Sequence, residues 1–162
     1  MVQIIFLFVK RLNNLLKKQL KFKIMLIINN NIIRGAIIIF YKNINRQRFY
    51  LAVYNPKTGN TSFVGGAEED IDNGDLYKTA KREVKEEIGI NPDEYILKPT
   101  TLINEFFFGE HKIDRLGCNG KYNVFYADIS DINEIIHQEE QKSIQWLNKE
   151  DLINAISFPD LR

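Results

Sequence analysis

At 162 residues, 44% hydrophobic and 27% charged, the chain has the length and balance of a single globular domain able to bury its own core. Its one cysteine, Cys118, excludes an internal disulfide and favours a reducing, cytoplasmic setting. Charge is unevenly spread: residues 1–67 hold 11 Lys or Arg and no acid, whereas all 21 acidic residues follow Glu68 or include it.

In chain order, residues 1–24 read as an apolar, basic extension ahead of a domain spanning 25–162. The apolar run Ile4–Val9 is far short of the roughly 20 residues a membrane-spanning helix requires. The segment also lacks the small-residue cleavage site of a secretory signal. Its freedom from acids leaves organellar targeting open; the alternative is that the protein starts at Met25. Strands are expected at Ile32–Tyr41, a β-branched run, and at Arg48–Tyr54, with Lys42–Gln47 as a polar connection. The turn-forming residues 55–60 let neighbouring segments fold back on each other. Thr61–Val64 leads into Gly65-Gly66 and then an acidic loop through Gly74.

A helix follows, with Asn73 or Asp75 as N-cap and Gly89 as stop; Leu76, Ala80, Val84 and Ile88 give it one apolar stripe. Further strands are expected at 121–129 and 143–147. Asn148 caps a last helix at Lys149–Ile156. Short strands around one central and one late helix predict an α+β layered fold.

The chemically informative stretch is GGAEEDIDNGDLYKTAKREVKEEIGI, residues 65–90. Glu83, Glu86 and Glu87 fall within an arc of about 100° on the helix surface, beside the apolar stripe. Like charges this close destabilise a helix unless a counter-ion is present. His111 and His137 are too few and too scattered to build a histidine site, so a bound metal would take oxygen ligands, which suits Mg²⁺ or Mn²⁺. Arg82, four residues before Glu86, is placed to orient it. On its own, REVKEE reads better as a solvated face with i,i+4 pairs.

The wider segment resembles the Nudix box, G-x5-E-x7-R-E-U-x-E-E-x-G-U with U aliphatic. Arg82, Glu83, Val84, Glu86, Glu87, Gly89 and Ile90 all match. The front half departs from it. Counting from Gly66 puts Asp72 where the first glutamate belongs, with nine residues rather than seven before Arg82. That pattern is explained by a two-residue loop insertion, with Asp72 or Asp75 standing in for the glutamate. Val64 and Thr61 also replace a proline and an aromatic that are frequent in the family.

The resemblance implies the Nudix fold, a mixed β-sheet sandwiched between helices with the box as loop–helix–loop. It implies Mg²⁺ (or Mn²⁺) held by Glu83, Glu86, Glu87 and the Gly66 carbonyl, with Arg82 orienting. Glu139 or Glu140, ahead of the strand at 143–147, is the expected extra carboxylate, and a box glutamate, Glu139 or Glu140 is the candidate general base. The expected activity is hydrolysis of a nucleoside diphosphate linked to another moiety, with a nucleoside triphosphate or small nucleotide derivative as substrate. Gly65 and Gly66 would face the diphosphate. Phe106 and Tyr126, among the aromatics Phe107, Phe108, Tyr122, Phe125 and Trp146, would offer a base a stacking surface. Two rivals are an RNA-cap or RNA 5′-end hydrolase using Lys10–Lys23 as a phosphate-contacting arm, and a non-catalytic nucleotide-binding module. A homodimer is compatible with the resemblance.

Overall fold

A computed structural model of the chain describes residues 32–109, 115–132, 135, 143–158 and 161. The boundary expected between residues 24 and 25 lies outside them. The described residues form seven strands, one 3₁₀ turn and two helices. They divide into two compact units, one of 33–106 with 121–162, the other including 107–120. Within the smaller unit the Phe108 N–H donates to the Cys118 carbonyl and the Gly117 N–H to the Phe108 carbonyl, both at 3.1 Å. Cys118 is buried there.

The β-branched run forms β1 (Ile32–Ile44), which continues three residues beyond its expected end and meets β2 (Gln47–Asn55) through a two-residue turn. The polar connection expected over Lys42–Gln47 is therefore mostly strand. Asn45 and Arg46 turn the chain with φ of 50° and 66°, the left-handed pair that matches the twist of a tight hairpin. Residues 55–60 fold β2 back onto β3 (Asn60–Ser62), as their composition suggested. The glycine pair is not in a loop: it lies in β4 (Val64–Ala67), antiparallel to the first half of β1.

After helix α1 (Leu76–Ile88) come β5 (Lys98–Phe107), β6 (Asn119–Asp128), β7 (Ser143–Leu147) and helix α2 (Lys149–Ala155). The strands make one mixed sheet in the order β3-β2-β1-β6-β5, with β4 joined to β1 and β7 to β2. β5 is a strand that the sequence analysis lacked.

Strand alternation sends Ala36, Ile38 and Phe40 of β1 and Leu51 and Val53 of β2 into one core with Ala80, Val84 and Ile88 of α1. The intervening Ala52 faces the other way, and α2 buries Leu152 and Ile156 on that side. The sheet is thus covered by a helix on each face, the α+β sandwich expected from the sequence. At about 25 cal/mol per Å² of apolar surface, each large side chain in this core stabilises the fold by roughly 2 kcal/mol.

Candidate active site

Helix α1 starts at Asp75, not Asn73: the Asp75 carboxylate accepts a hydrogen bond from the Tyr77 N–H at 2.9 Å. It ends at Gly89, left-handed at φ 73°. Its apolar stripe locks it to the sheet, and the flank beside the stripe carries Arg82, Glu83, Glu86 and Glu87 alongside β4. Antiparallel pairing sets Gly66 across from Ala36 and Gly65 across from Ile37. A Cβ on Gly66 would overlap the Glu83 carboxylate, so any larger residue there would displace that carboxylate from its place against the strand.

Arg82 is the hub of the site. Its Nε donates to Asp72 at 3.1 Å and one Nη to the same carboxylate at 2.9 Å, a two-pronged grip. That Nη also donates to the Ala67 carbonyl at 2.9 Å, and the other Nη to Glu83 at 2.9 Å and Glu86 at 3.0 Å. All five guanidinium N–H groups thus have an acceptor, and Arg82 ties the loop, the end of β4 and the helix into one unit. Asp72 is only 2% exposed and also accepts from the Glu69 N–H at 2.9 Å and the Thr79 hydroxyl at 3.0 Å. The Arg82 guanidinium, helped by these bonds, lowers its pKa to about 2. Arg82 is in turn held firmly protonated by Asp72.

The three expected carboxylates sit on this frame in different surroundings. Glu83 is largely enclosed, Glu86 is exposed, and Glu87 is half-buried with an oxygen accepting from the Gly65 N–H at 3.2 Å. Burial raises Glu83 to about 7; Arg82 opposes this, while Glu87 and Glu86 add to it. An enclosed carboxyl that is costly to ionise, with two further box carboxylates on the same helix, is the kind of oxygen donor chemistry that suits a hard divalent cation. As they stand, Glu83 and Glu86 converge on Arg82, and among the described residues no three acidic, His or Cys side chains are gathered closely enough to clasp an ion.

Of the other residues singled out, Phe106 stacks edge-on against Tyr122 with ring centroids 5.1 Å apart. Tyr122 lies over Gly35, where a Cβ would meet its ring, and Gly35 pairs with Ala67 at the end of β4. This aromatic pair therefore borders the box. Tyr126 is half-buried four residues further along β6. Phe125 instead packs into the core beneath α1, against Tyr77. Glu139 and Glu140 lie outside the described residues.

Sequence reasoning missed Thr79 and Arg34. The Arg34 guanidinium meets Glu68 at 3.3 Å and donates to the Gly74 carbonyl at 3.2 Å, tying β1 to the acidic loop. A lone charge inside an otherwise apolar β-branched run was the signal that pointed to it.

Solved structures of the same fold include the E. coli dihydroneopterin triphosphate pyrophosphohydrolase, 18% identical, with a TM-score of 0.67 over 80% of this chain and 89% of that one. A C. elegans Ap4A hydrolase binary complex is 16% identical, with a TM-score of 0.63 over 79% of this chain and 88% of that one. The Nudix domain of Shewanella oneidensis NrtR, crystallised with ADP ribose, is 16% identical, with a TM-score of 0.58 over 76% and 77% of the two chains. At these identities the likeness is one of fold. No curated protein sequence matches the chain. The family model for the NUDIX domain matches residues 33–161, which takes in the whole sheet, both helices and the Arg82 hub, and the chain belongs to the Nudix family.

Proposed function

We propose that this protein is a Mg²⁺-dependent hydrolase that cleaves a diphosphate linkage in a nucleoside triphosphate or small nucleotide derivative. The observation that carries this reading is the Arg82 hub, which fixes Glu83, Glu86 and the end of the glycine-bearing strand β4 in one place. Glu83, Glu86, Glu87 and the Gly66 carbonyl would hold the cation, with Mn²⁺ an adequate substitute. When bound, it would neutralise diphosphate charge and acidify the attacking water.

The chain's own groups do the rest. Arg82 restrains Glu83 and Glu86, so little ordering is left to do at the moment of reaction. Glu87, anchored on the Gly65 N–H, is held beside the strand end where the substrate would lie. A box carboxylate outside the ligand set at that moment, or Glu140, would accept the proton of the attacking water. Phe106 and Tyr122, with Tyr126 further along β6, would present ring faces or edges to a base.

Support in solution would come from product release across a panel of nucleoside triphosphates, ADP-ribose, nucleotide sugars, dinucleoside polyphosphates and capped RNA. Turnover that depends on Mg²⁺ and is abolished in Glu86→Gln and Glu87→Gln is the expected result. Binding of nucleotide without turnover of any substrate, with Mg²⁺ or Mn²⁺, would refute the proposal and leave a binding module.

A further inference from the structure

Resting on the reading of the box as a catalytic site, we infer that Asp72 and the left-handed pair Asn73-Gly74 together form a two-part positioning device that does the work of the missing box glutamate. The nine residues between Asp72 and Arg82, two more than the box pattern, include Asn73 and Gly74, with φ of 54° and 79°. Two successive left-handed residues reverse the chain locally. They sit directly after the single 3₁₀ turn Asp70–Asp72, which the Asn73 N–H closes on the Asp70 carbonyl at 3.2 Å. The Asp75 N–H then donates to the Asp72 carbonyl at 3.1 Å, so the extra pair folds into a compact knuckle and returns the chain to the helix start.

The knuckle keeps Asp72 close to the helix. An aspartate is one methylene shorter than a glutamate, yet this one lies buried and takes both prongs of the Arg82 fork. The knuckle thus carries the backbone close enough for the shorter side chain to reach Arg82. Arg34, by donating to the Gly74 carbonyl, holds the knuckle from the β1 side. Lengthening the side chain without shortening the loop therefore drives a carboxylate into a filled space. Shortening the loop without lengthening the side chain leaves it short of Arg82. Either error releases the guanidinium that aligns Glu83 and Glu86.

The test is a cycle of three variants: Asp72→Glu, deletion of Asn73 and Gly74, and both together, the last restoring the seven-residue spacing with a glutamate. Each is followed by thermal melting without added metal, by Mn²⁺ affinity, and by kcat and KM on the best substrate of the panel. Asp72→Glu alone is expected to lower kcat by tenfold or more, with KM within threefold, and to lower the melting temperature by several degrees. The doubly changed chain is expected to recover kcat to within threefold and most of the melting temperature. A double variant no more active and no more stable than Asp72→Glu alone, or one that fails to fold, overturns the inference, as does an Asp72→Glu chain that behaves like the parent. If the parent turns over nothing, the proposed function fails, and the melting temperatures still decide whether loop length and side-chain length compensate.

Discussion

Replacing Asp72 with asparagine keeps the shape of the side chain and removes its charge, so the cost of losing the Arg82 ion pair is read almost alone. The Asp72 pKa falls from 3.8 to about 2, nearly two units at 1.36 kcal/mol each, an upper figure of about 2.5 kcal/mol. Solvent near this surface loop screens part of it, leaving roughly 1–2 kcal/mol. A folded-state pKa below the unfolded one adds stability that is complete above the ordinary carboxylate value of 3.8 and fades as pH falls from there through about 2. At pH 7 Asp72→Asn should therefore melt about 2–8 °C below the parent, at about 2–4 °C per kcal/mol for a domain of this size. As pH falls from about 4 to 2 the gap should close, because the parent alone loses the pair. Melting curves from pH 2 to pH 7, recorded by circular dichroism, measure both effects. Curves that stay parallel through the acid range would show that Asp72 and Arg82 do not share the buried ion pair described here.

Arg82→Lys keeps a positive charge but forfeits the five-donor fork; it should lower kcat by about 10²-fold while nucleotide KM changes little, read by steady-state kinetics. Gly66→Ala places a methyl group against the Glu83 carboxylate and should remove Mn²⁺ binding, followed by titration calorimetry, while the far-ultraviolet dichroism remains that of the parent. Tyr95→Phe removes a buried hydroxyl that has no hydrogen-bond partner among the described residues, from a ring packed edge-on against Phe40. It should leave stability unchanged or raise it by up to about 1 kcal/mol in urea unfolding, because an unsatisfied polar group is lost and no bond is broken.

What the sequence revealed, and what it hid, follows from where each element's information lies. Helix α1 was legible from end to end because its stripe, cap and stop are all local: Leu76 to Ile88, Asp75 and Gly89. The β1–β2 turn was hidden, since Asn45 and Arg46 adopt left-handed angles without the glycine that usually announces them. β5 was hidden for another reason. Leu102 and Ile103 are both exposed at the edge of the sheet, so no alternation between inside and outside is written into KPTTLINEFF. Residue spacing narrowed the replacement for the first box glutamate to Asp72 or Asp75. The choice required the fold, where Asp75 caps the helix and Asp72 grips Arg82. The glycine pair was recognisable as important, but its place in a strand depends on β1, whose Ala36 and Ile37 lie some thirty residues earlier.

The partners of Arg82 lie between Ala67 and Glu86, whereas the sheet is sewn together by distant segments, as when Ile129 bonds to Tyr41 and Ser130 to Asn43. The frame around Arg82 is thus a short-range knot in the chain. Phe106 and Tyr122 reach its border on strands contributed from elsewhere. On the proposed function, changes in those strands would retune which base is welcomed without untying the knot. One lineage would then shift its choice of nucleotide while the chemistry proposed next door is inherited intact.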